Sequence, residues 1–145
     1  MTTYPQALDA LFGALETAWA AGSTAIVGYV PAIEWPDQIS GASRPGDKYW
    51  VRVWTRQGTD KQRSVGRPAV YTVDGFLYVQ IFSPLTTDKG AGAVLSALAT
   101  LVKGAYTSKT LTGVRCVSAL IREMASETKW HSKRVAVEYH YDYLM

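Results

Sequence analysis

The stretch FLYVQIFSPLTTDKGAGAVLSALATLVKG, residues 76–104, decides the fold class. Leu77, Val79 and Ile81 alternate with Phe76, Tyr78 and Phe82, so a strand over 76–83 is apolar on both faces and belongs in the middle of a sheet. Pro84 closes that strand by withholding a backbone donor. The period then changes. Ala91, Val94, Leu95, Leu98, Leu101 and Val102 recur at the three-and-four spacing of one helix face, with Thr87 or Asp88 able to cap the helix and Gly104 to end it. A central strand that feeds a one-sided helix predicts a helix packed on a sheet.

Upstream, Leu8, Leu11, Phe12, Leu15 and Trp19 make a second helical stripe over 4–21. Thr3 and Gln6 stand at capping-box spacing, Pro5 fits the first turn, and Gly22 is read as the end of the helix. The run 25–30, AIVGYV, reads as a short buried strand before Pro31, and 31–47, PAIEWPDQISGASRPGD, as a long surface loop carrying Trp35. Residues 48–56 alternate again, with Tyr49, Val51, Val53 and Thr55 on one face and Trp50, Arg52, Trp54 and Arg56 on the other. The polar stretch 57–68 reads as a flexible arm, and Asp74-Gly75 as the tight turn of a hairpin joining 70–73 to 76–83.

Downstream, 113–124 fits both periods, and a strand beginning near Gly113 is preferred. A last strand puts Val135, Val137, Tyr139, Tyr141 and Tyr143 on a buried face and Arg134, Glu138, His140 and Asp142 on the other. The sum is one α+β domain over 1–145, a mainly antiparallel sheet with two helices packed on it.

Composition narrows the class. With 145 residues, 48% hydrophobic and 19% charged, the chain is globular and long enough to bury a core unaided by disulfides or metal. Cys116 is the sole cysteine, so no internal disulfide exists. The N-terminus lacks the basic segment of a secretory signal, and the apolar runs read shorter than the ~20 residues of a membrane span. A soluble protein without a cleaved signal is expected. The net charge of +3 is unevenly spread. Up to Asp47, Arg44 stands against Asp9, Glu16, Glu34, Asp37 and Asp47, a net of −4, while the rest holds 14 basic and 7 acidic residues, a net of +7. Such a split suits nucleic-acid binding or, preferably, a subunit whose acidic surface docks on a neighbour's basic one.

Motifs for chemistry are weak. His140 and Asp142 share a strand face with His131 upstream, but a third metal ligand at fixed spacing is missing. Cys116 lies in an apolar segment, where it reads as a small core residue and not as a nucleophile paired with a histidine. Gly90-Ala91-Gly92 lacks the remaining residues of a dinucleotide or phosphate loop and reads as room for close helix–sheet packing. No catalytic, cofactor or metal residue is therefore assigned. Trp50 and Trp54 alternating with Arg52 and Arg56 are the most informative surface feature, because aromatics and arginine dominate protein interfaces. Equally, the tryptophans could lie beneath a helix, and stacking on single-stranded nucleic acid is a third use.

The order of elements resembles the tail terminator (tail-completion) proteins of long-tailed bacteriophages. The resemblance is carried by the helix over 4–21, by Tyr78-Val79-Gln80-Ile81-Phe82-Ser83-Pro84 followed by Gly90-Ala91-Gly92-Ala93-Val94, and by the end from Trp130 through Arg134-Val135-Ala136-Val137-Glu138-Tyr139-His140-Tyr141-Asp142. The proline-rich segment before Lys48 and the arm after Arg56 depart from the family pattern. The resemblance implies a non-enzymatic virion protein, made in the host bacterial cytoplasm. It would form a homo-oligomeric ring, a hexamer in that family, that caps the tail tube, ends its polymerisation and meets the head connector or neck protein. No cofactor and no membrane is implied, and nucleic acid only by proximity to the channel. The contact surface expected from the charge pattern comprises Trp50, Arg52, Trp54, Arg56, Lys61, Arg63 and Arg67 on the basic side and Glu34, Asp37 and Asp47 on the acidic side. The alternatives are another phage neck or minor tail protein, or a small nucleic-acid-binding protein using the basic arm 56–67.

Overall fold

A computed structural model of the chain describes residues 2–36, 48–84, 91–124 and 130–145. The elements are α1 (Tyr4–Val27), β1 (Ala32–Glu34), β2 (Trp50–Gln62), β3 (Val70–Pro84), α2 (Ala91–Tyr106), β4 (Thr110–Leu111), β5 (Val114–Glu123) and β6 (Trp130–Leu144). The six strands form one sheet in the order β1-β2-β3-β6-β5-β4. Every pairing is antiparallel except that of β1 with β2. The α+β class, with two helices on a mainly antiparallel sheet, is as expected.

Both helices cover one sheet face. Leu11, Leu15 and Trp19 of α1 and Leu95, Leu98 and Val102 of α2 join Val51, Val53, Leu77, Val79, Val135, Val137 and Tyr139 in a single core. Tyr106 ties the helices together, its hydroxyl donating to the carbonyl of Leu11. The α1 start is as read: Gln6 N–H donates to Thr3 Oγ1 while Thr3 N–H donates to Gln6 Oε1 at 2.9 Å.

Its end is not. Gly22 lies inside the helix, which runs on to Val27 and stops at Gly28, whose φ of 82° is the left-handed cap. Gly22 serves packing, since a Cβ there would sit 2.5 Å from Leu101 Cδ1 on α2. The strand expected over 25–30 is therefore helix in its first three residues and irregular in the next three, and the strand proper is the short β1. Trp19 fixes the turn between them, with Nε1–H donating to the Pro31 carbonyl at 3.0 Å. The longer helix also alters the membrane reading: at 24 residues and mean hydropathy 1.2, α1 has the length and composition of a membrane span. In this fold its apolar stripe is spent on the core.

Two further readings are corrected. Asp74-Gly75 is not a turn, because β3 runs unbroken from Val70 to Pro84, with Asp74 opposite His140 and Gly75 opposite Tyr139. The glycine leaves room for a ring: its Cβ would lie 2.5 Å from Tyr139 Cζ. Nor is 57–68 simply an arm. β2 continues to Gln62 across a bulge between Gln57 and Asp60, pairing Lys61 with Thr72 and Gln62 with Tyr71. The shorter connection that remains is tied by Arg63 N–H to the Val70 carbonyl and by Ala69 and Met145, which exchange backbone hydrogen bonds at 3.0 Å.

The segment 113–124 is strand β5, and α2 extends past Gly104 to Tyr106. The loop read over 31–47 contains β1, and Trp35 packs its ring 5.2 Å from Phe12. Thr87, Asp88, Asp37 and Asp47 lie outside the described residues.

Candidate interaction surface

The helices leave the second face of the sheet without a covering element among the described residues, and strand register sets its side chains in rows. One row runs Trp54, Tyr78, Ala136, Leu120 across β2, β3, β6 and β5. On one side of it lies Arg52, Gln80, Arg134, Arg122; on the other, Arg56, Phe76, Glu138, Ser118. Neighbouring rows are about 7 Å apart, two residues along each strand. Phe76 is 42% and Leu120 51% exposed, and Trp54 stacks on Tyr78 with centroids 5.3 Å apart. The middle row is thus apolar and open to solvent, with arginines on both sides.

Not all the residues expected at the surface stay there. Trp50 is only 2% exposed, because it stacks on Phe82 at 4.0 Å and meets the edge of Trp130 at 5.8 Å. The Arg52 guanidinium lies 5.4 Å from the Trp50 ring, and its Nε is 3.5 Å from Glu34 Oε1. Glu34 has a side chain 9% exposed, so one basic and one acidic member of the expected contact surface are partners within the same chain. β1 brings them together by lying parallel to β2.

Trp54 and Arg56 remain available, Trp54 partly and Arg56 well exposed beside Phe76. Lys61 lies 3.7 Å from Asp74 Oδ2 in an exposed pair worth about 0–1 kcal/mol. Arg63 and Arg67 are exposed on the connection between β2 and β3. Sequence reasoning missed Leu120, Arg122 and Arg134 as members of this surface. Their alternation was readable, but joining them to Trp54 requires the register of four strands. Arg122 and Arg134 stand directly opposite, an unfavourable like-charge pairing. Arg134 lies 5.0 Å over Tyr78, and its Nε has no hydrogen-bond partner among the described residues.

The weak chemical candidates are placed apart. His140 Nδ1 lies 2.5 Å from Asp74 Oδ1, whereas Asp142 accepts from the Thr72 hydroxyl. Among the described residues no three histidine, cysteine or acidic side chains gather as a metal site. Cys116 is buried in the core, where desolvation pushes its thiol up to about 11, away from nucleophilic use at neutral pH. A hollow of about 340 Å³ at the start of α1 is lined by Thr2, Tyr4, Asp60 and Tyr143. There Tyr143 donates to Asp60 Oδ2 at 2.7 Å, a bond that pushes the phenol up to about 12.

No protein-family model matches the chain, and no curated protein does. Solved structures do. One solved chain superposes with a TM-score of 0.61 at 14% identity, over 92% of this chain and 94% of its own. Another, from the virion of a native gene transfer agent (GTA) particle, gives a TM-score of 0.50 at 18% identity, over 99% of this chain and 100% of its own. At these identities the shared property is the fold.

Proposed function

We infer that this chain is a structural subunit of a phage-type virion, and more narrowly a tail terminator: a ring that caps the tail tube, ends its growth and offers the joining surface to the head. The observation that carries the reading is the end-to-end likeness in fold to a chain of a gene transfer agent virion, with neither chain leaving a large part unmatched. The open row of aromatics and arginines supports it, since subunit contacts need large desolvating groups with forked hydrogen bonding. In this reading its partners are copies of itself, the tail-tube protein and the connector or neck protein, and its work is done by contact, without cofactor or catalysis.

Light scattering and negative-stain imaging of the purified protein, with and without tail-tube protein, test this directly. Closed rings that block further addition of tube subunits are expected. Monomer or dimer at every concentration in both conditions refutes it. A second reading, nucleic-acid binding, is favoured by exposed Arg56, Lys61, Arg63 and Arg67. It predicts affinity for duplex that falls steeply with salt, whereas the virion reading predicts little binding at moderate salt.

A further inference from the structure

We propose that the open sheet face of one subunit takes the exposed side of helix α1 of a second copy of this chain, head to tail; this rests on the ring reading above and specifies its contact. The sheet face needs a cover. Leu120 and Phe76 are 51% and 42% exposed, and they share this face with Trp54 and Tyr78 in adjacent rows. Arg122 and Arg134 face each other across β5 and β6, a pairing that an incoming anion relieves. The cover must therefore be apolar along its middle and acidic beside it.

The chain supplies such a surface on its opposite side. α1 has no basic residue in 24 positions, and its two acids, Asp9 and Glu16, are both exposed. Seven residues apart, they lie two turns from each other on one side of the helix, about 10.5 Å along its axis. The row holding Arg122 and the row holding Arg56 are four residues apart along the strands, about 13 Å. A helix laid diagonally across the face, from Arg122 on β5 toward Arg56 on β2 and over Ala136 and Tyr78, brings one carboxylate to Arg122 and Arg134 and the other past Phe76 toward Arg56, on the side of that row away from Glu138, given the length of an arginine side chain. Between the acids α1 presents Gly13, with open space where its Cβ would be, so that backbone can approach the aromatic row closely.

The geometry of the subunit also fits. Helices occupy one side of the sheet and the open face is the other, so the two complementary surfaces point in opposite directions. Such a contact is heterologous: each copy uses one surface on each neighbour, and copies so joined make a ring where the rotation between them closes and an open filament where it does not. Each sheet would then be sandwiched between its own helices and a neighbour's. Glu34 is not required as a donor of charge to the neighbour, in keeping with its pairing to Arg52 inside the subunit.

Two variants with one blocked surface each provide the test. Leu120→Asp with Arg122→Glu blocks the sheet face, and Gly13→Trp with Glu16→Gln blocks the helix without giving it a charge that the altered sheet face would attract; all four positions are exposed, and thermal melts confirm folding. Wild type and variants are compared by sedimentation, with and without tail-tube protein. Each variant alone should lose the oligomer, and an equimolar mixture should give a complex of two subunits, about 32 kDa from chains of 15.9 kDa, and nothing larger. If the wild type assembles but the sheet-face variant assembles equally well, or the mixture stays monomeric, this contact is wrong and the ring reading stands. If the helix variant alone dimerises, the face pairs with itself and the proposal is overturned. If the sheet face instead binds a single-stranded oligonucleotide, lost with Leu120→Asp and Arg122→Glu while the protein remains monomeric, nucleic acid is the occupant. Wild type that stays monomeric throughout removes both the contact and the ring.

Discussion

Gly75→Ala is the substitution that most sharply separates the observed sheet from the hairpin that the sequence suggests. In β3, Gly75 has no positive φ and sits opposite Tyr139, whose ring lies over it: a Cβ would stand 2.5 Å from Cζ and 2.6 Å from the hydroxyl oxygen. Contacts that short cannot persist, and neither partner is free to yield. Tyr139 is completely buried, and β3 is clamped between β2 and β6. Overpacking of this kind costs about 1–3 kcal/mol, against a total stability of about 5–15 kcal/mol, and lowers Tm by roughly 3–10 °C for a domain of this size. Urea unfolding followed by tryptophan fluorescence measures it, with an unchanged m-value. The decisive arm is a double-mutant cycle: in a Tyr139→Leu background the same Gly75→Ala change should cost less than about 0.5 kcal/mol, since the ring that it strikes is gone. An equal cost in both backgrounds would refute the reasoning, because glycine would then be needed for its own backbone, as a hairpin turn demands.

Gly22→Ala should behave differently: its Cβ meets the tip of Leu101, which can rotate away, and alanine is about 1 kcal/mol better in a helix, so a thermal melt should stay close to wild type. At alkaline pH the fold should weaken progressively. Burial raises Cys116 from 9.0 to about 11 and Tyr139 from 10.0 to about 12, so the unfolded chain ionises first and stability is lost as pH climbs from 9 through 12; Cys116→Ala should flatten the part between 9 and 11 in urea titrations across that range. Arg52→Glu should destabilise the isolated subunit by roughly 1–2 kcal/mol, after allowance for solvent screening at Arg52, because it sets a second carboxylate beside Glu34 and uncovers Trp50; a melt of monomer should show the loss before any assembly is assayed.

What the sequence made legible is what a strand or helix announces through its own period. The two-sided apolar run from Phe76 and the tyrosine alternation from Val135 are central strands β3 and β6, and the stripe from Val94 is α2. Two of the misreadings fall on glycines. Gly22 and Gly75 look like punctuation, yet each accommodates a side chain from elsewhere, Leu101 in one case and Tyr139 in the other, 79 and 64 residues downstream. A local rule has no access to partners at that separation. The candidate surface divides in the same way. Alternation over 48–56 showed Trp54 and Arg56, but only pairing in space shows that Trp50 is enclosed by Phe82 and Trp130, that Glu34 belongs to Arg52, and that Leu120 completes the row begun by Trp54.

The strand order has a consequence for synthesis on the ribosome. β6, made after every other strand, sits in the middle of the sheet, so that Val70 pairs with Leu144 and Val114 with Tyr141. Until β6 emerges, the β1-β2-β3 half and the β4-β5 half have no strand pairing between them, only helices that pack on both, and the edges of β3 and β5 that will face inward carry unpaired donors and acceptors. Those are the edges that recruit the wrong strand. The nascent protein therefore holds two unpaired half-sheets from the completion of β5 until β6 is made, and folding to the native core must follow translation of β6. Polysome crowding of identical chains is the period in which exchange of β6 between neighbours is most favoured.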